Sequence, residues 1–252
     1  EKEINANLTF INWFIFLIAL AKKADLVLFI GGLNKSHLQD CEGDDRQQYN
    51  LPFGQEDLLA KIVAVNKNTG FLLVTGNAVE MSWHTKVKGI LQTWYLGSMA
   101  GNAIADVVSG DANPSGKLPF SFPKKLDDNG AHSFGPKSYP GVDLNQEYLE
   151  DILVGYRWHD TKKIKPFYAF GYGMSYTSFK TSAIKSNRKN YTENDTINIT
   201  CEIKNTGSRD GAEVIQVYVG KQKSKVKRAL KELKGFQKVS LKTQETKIVT
   251  IP

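Results

Sequence analysis

Between residues 25 and 110 the chain alternates short apolar runs with stretches of helical period. Asp25-Leu26-Val27-Leu28-Phe29-Ile30 is a continuous apolar run closed by Gly31-Gly32, the pattern of a central strand buried on both faces. A polar loop follows to about Pro52. Leu58, Leu59, Ile62, Val63 and Val65 then draw a helical stripe over Gln55 to Val65. Phe71 to Thr75, ending at Gly76, reads as a second buried strand, and Gly89 to Tyr95 as a third. Ser98 to Val108 reads as a second helix closed by Gly110. Strands alternating with helices predict βαβ units on a parallel sheet. Ligand sites on such sheets lie outside the carboxyl ends of the strands, so the loop after Gly32 and the turn at Gly76-Asn77 fall on the functional rim.

Beyond Asp111 the periodicity fades. Residues 111–179 are rich in Gly, Pro and aromatics, and Trp158, Phe167, Tyr168, Phe170, Tyr172 and Tyr176 require something to pack on, which predicts an ordered connector rather than a flexible linker. From Thr196 the period becomes two. Thr196 to Ile203 alternates cleanly, Asn205-Thr206-Gly207 reads as a turn, and Val214–Val219, Leu233–Val239 and Lys247–Ile251 follow as strands of a small β-sandwich. At the other end, residues 8–20 form an atypical hydrophobic block of about 13 residues, against roughly 20 for a membrane span. It has no basic region before it, and Lys22-Lys23 stand where a leader would place small residues. A buried helix or a locally aberrant segment is the expectation there, ahead of an interfacial anchor, with a span last. The absence of an initiator Met before Glu1 suggests a fragment or a processed chain.

Charge divides the chain in the same way as period. Residues 161–252 carry 19 Lys and Arg against 7 Asp and Glu, whereas residues 1–160 carry 14 against 19. This split favours two domains over an evenly basic nucleic-acid binder, and directs a search for carboxylate chemistry to the first half. The two cysteines support neither a disulfide framework nor a zinc site, and the scattered His84, His132 and His159 give no metal-ligand spacing. Gly31-Gly32 lacks the third spaced glycine of a dinucleotide fingerprint. No cofactor, metal or nucleic-acid partner is expected, and a membrane partner is not favoured.

The candidate chemistry lies in the loop after the first strand. Asp40, Glu42, Asp44 and Asp45 crowd into six residues beside Arg46, so they face water, bind a cation, or are organised by the arginine and backbone donors. A carboxylic acid in apolar or anionic surroundings donates a proton near neutrality, and Glu42, followed by the permissive Gly43, is suited to project into a cleft. Calcium remains an option by ligand type, although the spacing is not that of an EF-hand. Arg46 is expected to hold Asp44 or Asp45 and so fix the loop. His37 is read as solvated, Trp83, Trp94, Tyr95 and Trp158 as core aromatics, Asn102 and Asp106 as a polar helix face, and the run Lys221 to Arg228 as a solvated loop guarding a sheet edge. Sequons at Asn7, Asn34, Asn190, Asn194 and Asn198 matter only in a glycosylating secretory pathway.

Several strings together resemble glycoside hydrolase family 3, the β-glucosidases, β-xylosidases and relatives. They are Gly32-Leu33-Asn34, Glu42-Gly43-Asp44-Asp45-Arg46 with Asn50-Leu51-Pro52, Val74 to Met81, Ile90 to Tyr95, the specific Asn113-Pro114-Ser115-Gly116-Lys117-Leu118-Pro119, Val154 to Trp158, and Pro166 to Tyr176. The stretch from Asn205 to Phe236 resembles the fibronectin type III-like domain of the same enzymes. The resemblance implies an α/β fold, a three-layer α/β/α sandwich with a mostly parallel sheet over residues 21–125, a connector over 126–180, and a small all-β fibronectin type III-like sandwich over 181–252. It further implies a retaining hydrolase of β-linked glucosides or oligosaccharides, with Glu42 as the general acid/base and Asp40 as the second candidate, supported by Asp45 and Arg46. The nucleophilic aspartate belongs to an N-terminal barrel with no counterpart here, so the chain alone is expected to show little hydrolysis. A non-catalytic carbohydrate-binding or structural fragment is the alternative. Periplasmic or extracellular residence is implied by the family alone.

Overall fold

A computed structural model describes residues 2–36, 39–43 and 46–252, with side chains from Trp13 onward. The chain divides into two units, Glu1–Met99 and Ala100–Pro252.

The first unit is a parallel sheet with helices. Strands β1 (Val27–Gly32), β2 (Thr69–Val74) and β3 (Gly89–Gln92) lie in the order β1-β2-β3, all parallel, with Phe29 opposite Phe71 and Phe71 opposite Ile90. Helix α1 spans Lys2–Lys23, and α2 spans Gln55–Val65, as the stripe predicts. Leu59, Ile62 and Val63 of α2 are buried. Phe29, Phe71 and Trp83 form the aromatic centre, with ring centroids 5.0 Å apart for the first pair and 4.4 Å for the second.

β1 is not a central strand buried on both faces. Among the described residues it pairs on one side only, so β2 is the buried middle strand, and Leu28 and Ile30 of β1 are exposed while Phe29 between them is buried. The block at residues 8–20 is helical, and from Trp13 to Leu20 no side chain is buried, against the expectation of a buried helix. Among the described residues no helix is long and apolar enough to cross a membrane.

The second unit opens with α3 (Ala100–Ser109), ended at Gly110, whose φ of 87° lets its amide bond to the Val107 carbonyl at 3.2 Å. The aromatic-rich stretch is ordered. Phe122 pairs with Tyr168 in a β-bridge, Leu118 exchanges backbone bonds with Gly171 and Tyr172, and a short helix, α4 (Tyr156–Lys162), buries Trp158 and His159. The β-sandwich comprises β4 (Phe179–Ser186), β5 (Ile199–Asn205) and β8 (Thr246–Ile251) in one antiparallel sheet, and β6 (Gly211–Val219) with β7 (Glu232–Leu241) in another. Cys201, Ile203, Val239, Leu241, Val249 and Ile251 form its core, packed by Phe179, Ile215 and Val217. The chain is thus an α/β parallel-sheet unit followed by an all-β domain. The basic run lies between β6 and β7, where Lys227 meets Asp151 at 3.0 Å.

The specific Asn113-to-Pro119 string acts as an internal clamp. The Asn113 Oδ1 accepts from the Ser175 hydroxyl and the Tyr176 amide, while its Nδ2 donates to the Asp210 carbonyl. Lys117 Nζ donates to the Gly173 carbonyl at 2.6 Å and pairs with Glu213 at 2.7 Å. Asn205 is fully buried and satisfied on both sides, accepting from Thr177 and Gly207 and donating to the carbonyls of Arg209 and Leu241. Four partners for one buried amide explain why an apparent turn asparagine belongs to the core.

Candidate active site

The loop after β1 starts on a glycine that nothing larger can replace. Gly32 adopts φ 145°, and a Cβ there would collide with the Val74 backbone. Its amide donates to Gln55 Oε1 at 2.7 Å and its carbonyl accepts from Gln55 Nε2 at 2.9 Å, so the first residue of α2 holds the end of β1. Leu33 then reaches the Val74 carbonyl at 2.8 Å. Further on, Asn34 Oδ1 accepts from the Ser36 amide, and Gln39 Oε1 accepts from the Asn34 amide.

Asp40 is the knot of the site. Its carboxylate accepts from the Gly76 amide at 2.8 Å, from Asn77 Nδ2 at 2.8 Å and from the Tyr95 hydroxyl at 2.7 Å. These donors stand just beyond the ends of β2 and β3, so one side chain lashes the loop across the rim. Gly76 permits the close approach: a Cβ would lie 2.8 Å from the Tyr95 ring and 3.0 Å from the Asp40 carboxylate. Burial and the bond to Asp40 push the Tyr95 phenol far above its ordinary range, because ionising it would set two anions in contact. Lys35 stands over the same ring, 4.7 Å from its centroid.

Glu42 differs in kind. It lies exposed on a turn whose next residue, Gly43, has φ 88° and open space around it, and among the described residues no hydrogen bond or ion pair holds its carboxylate. Arg46 donates through Nη2 to the Ala78 carbonyl at 2.8 Å, fixing the far end of the loop to the segment after β2. Burial draws its guanidinium below the ordinary value, against the pull of the Asp40 charge. The expected clasp of Arg46 on Asp44 or Asp45 falls outside the described residues, as does His37.

Asp40, the second candidate acid, carries three donors on its carboxylate and anchors the loop. Tyr95 and Trp94 are expected as core aromatics from the sequence. Tyr95 instead closes the knot, and Trp94, two residues beyond the end of β3, is half-buried with φ 59°, an uncommon conformation for a bulky residue. Only the glycine at 76 hinted at such crowding. Trp83 and Trp158 are core, as read. Among the described residues, no group of three His, Cys, Asp or Glu side chains is placed to hold a metal ion.

Comparison with known proteins decides the lineage. Residues 16–176 match the glycosyl hydrolase family 3 C-terminal domain, and residues 213–252 a fibronectin type III-like domain. The chain belongs to glycosyl hydrolase family 3. This family 3 chain is 53% identical over 229 residues to the β-glucosidase BoGH3A of Bacteroides ovatus, and 42% identical over 238 residues to the thermostable β-glucosidase B of Acetivibrio thermocellus. It aligns over 91% and 93% of its own length with these relatives but spans only 31% of theirs. Among solved structures it is similar to DesR, a β-glucosidase from Streptomyces venezuelae in complex with D-glucose, with a TM-score of 0.87 and 38% identity over 94% of this chain and 30% of that one. A Bifidobacterium adolescentis family 3 β-glucosidase gives a TM-score of 0.86 at 36% identity, covering 94% of this chain and 34% of that one.

Proposed function

We propose that this chain is the C-terminal part of a retaining β-glycosidase acting on β-linked glucosides, with Glu42 as its general acid/base. The observation that carries the proposal is the contrast between two neighbouring carboxylates. Asp40 is spent on three donors, whereas Glu42 stands exposed on a glycine-supported turn of the rim loop. Retention needs a second carboxylate roughly 5–5.5 Å from the first, to attack the anomeric carbon and form the glycosyl–enzyme. That nucleophile belongs to polypeptide outside these 252 residues. Glu42 protonates the departing glycosidic oxygen, then as carboxylate takes the proton of the water that releases the sugar. The knot at Asp40, Gly76, Asn77 and Tyr95 holds the rim from which Glu42 reaches, and Arg46 holds the loop's far side. That these relatives are β-glucosidases supports the substrate class. Residence outside the cytoplasm belongs to the same proposal and rests on the resemblance alone.

Two preparations test the reading. The 252-residue chain alone is expected to leave an aryl β-glucoside uncleaved. A chimera in which it replaces the matched part of the Bacteroides ovatus enzyme is expected to hydrolyse it, with a loss of 10²-fold or more on Glu42→Gln. Turnover by the isolated chain, abolished by that substitution, contradicts the division of labour; a fully active Glu42→Gln chimera contradicts the role of Glu42 and leaves a scaffold.

A further inference from the structure

We propose that the loop between β6 and β7, residues 220–231, is a binding site for a linear polyuronate, a polysaccharide with a carboxylate on each sugar; the choice of a sugar polymer rests on the functional reading above. The loop holds Lys221, Lys223, Lys225, Lys227, Arg228 and Lys231 and no acidic residue. It lies beyond the last ladder pair, Val219 with Glu232, so these cations flank no paired strand. Its shape is fixed from within the domain. Gly220 runs so close to the returning chain that a Cβ would collide with the Leu230 carbonyl. The amides of Leu230 and Leu233 donate to the hydroxyls of Thr161 and Tyr156, both on α4, at 3.0 and 2.7 Å. At the tip, the Ser224 hydroxyl donates to the Val226 carbonyl at 2.9 Å, just after Lys223 with its φ of 52°.

The framework leaves a surplus of positive charge. Lys227 pairs with Asp151 at 3.0 Å and Lys231 with Asp160 at 3.3 Å, while Glu232 is met by Lys234 at 3.2 Å and Arg157 at 3.5 Å. With these three carboxylates matched, Lys221, Lys223, Lys225 and Arg228 remain exposed, and none makes an ion pair among the described residues. The bond from Leu230 to Thr161 joins positions 69 apart and brings a second basic segment to the base of the loop. Lys162, Lys163 and Lys165 of that segment are exposed, with Lys162 Nζ 5.0 Å from the centre of the Trp158 ring. Two basic segments meeting on one surface create a field that concentrates polyanions there.

Composition selects the polyanion. The cations from Lys221 to Arg228 are lysines except the last. Lysine is a compact point charge suited to carboxylates met one at a time, whereas forked recognition of phosphate favours arginine. A polyuronate presents its carboxylates singly along the chain, and cations spread over two segments suit a polymer better than a small anion. Residues 220–231 contain no aromatic side chain on which a base could stack, and no helix to enter a groove, so a nucleic acid would gain only the attraction of its phosphates. Val226 and Leu230 are exposed, but two aliphatic side chains on a loop are not the continuous apolar face that beds a helix in a lipid surface.

Biolayer interferometry of the 252-residue chain against polygalacturonate tests the site, with a neutral β-glucan, duplex DNA and phosphatidylserine vesicles as the other ligands. The polyuronate is expected to bind, the neutral glucan not to, and added salt to weaken the binding. Lys221→Gln, Lys223→Gln, Lys225→Gln and Arg228→Gln together are expected to lower the affinity roughly tenfold or more. A control with the same loss of charge elsewhere in the β-domain, Lys180→Gln, Lys185→Gln, Lys204→Gln and Lys242→Gln, all exposed, is expected to lower it less than about twofold. Equal losses in the two proteins would reduce the effect to net charge and overturn the proposal. So would an absence of binding, or tighter binding to the DNA or the vesicles than to the polyuronate. The chimera described above separates this claim from the role of Glu42: Glu42→Gln should abolish its hydrolysis and leave polyuronate binding intact. Loop-dependent binding by a chimera whose hydrolysis survives Glu42→Gln would sink the functional reading and spare the site.

Discussion

Asp40 shows how an acidic side chain beside a candidate acid can hold geometry across a sheet rim. A carboxylate that accepts from a backbone amide, a side-chain amide and a phenol is worth more in place than any single bond among them, and removing it leaves three donors to find water. Asp40→Ala is expected to destabilise the chain by about 1–3 kcal/mol, read from the denaturant midpoint at constant slope. Tyr95→Phe, which removes one donor and keeps the ring, is expected to cost less. Glu150 offers a pH test of the opposite sign. One of its carboxylate oxygens is buried with no hydrogen-bond partner, and burial pushes the group above the usual carboxylate range. A carboxyl whose folded value is raised contributes its stability below the unfolded value of about 4.3, and loses it as pH climbs through the folded value. Glu150→Gln is therefore expected to stabilise the chain at pH 7 and to lose that advantage towards pH 4, measured as the difference in midpoints between the two proteins.

The elements tell which parts of the sequence were legible. Helix α2 was readable to the residue because its apolar stripe is packed on one face and its neighbours are polar. Strands β2 and β6–β8 announced themselves by burial or alternation. β1 was legible as a strand and misplaced as a central one, since an apolar run reports what a strand is built to bury and says nothing of which neighbours are present. Strand β4 escaped because Lys, Thr and Ser dominate it, most of its side chains are exposed, and a register shift between Ser182 and Lys185 breaks its pattern. Helix α4, seven residues long, is too short to show a period and is fixed by Trp158 and His159 packing inward. In the site, the loop after β1 was legible through resemblance, whereas the Asp40 knot joins residues 36 and 55 positions apart and leaves no local trace. The edge position of β1 yields a direct contrast. Phe29→Ala should cost about 3–5 kcal/mol, and Ile30→Ala, its exposed neighbour, less than about 1 kcal/mol, by equilibrium unfolding of each. Equal losses would mean that β1 is covered on both faces.

At the scale of the molecule, a family 3 chain spanning about 31% of its relatives' length carries one carboxylate of a proposed pair, a rim that holds it, and a β-domain clamped from within by Asn113, Lys117 and Asn205. The central claim is that Glu42 gives and takes the proton. Azide tests it most directly, because a small anion placed in the space of a missing general base attacks a glycosyl–enzyme without needing proton abstraction. The Glu42→Gln chimera, given an aryl β-glucoside whose leaving group departs unprotonated, should form the glycosyl–enzyme and stall. Added azide should then raise turnover at least tenfold and yield the β-glucosyl azide, identified by NMR. A Glu42→Gln chimera that turns over at the unsubstituted rate without azide, or one that azide neither accelerates nor diverts to that product, would contradict the account.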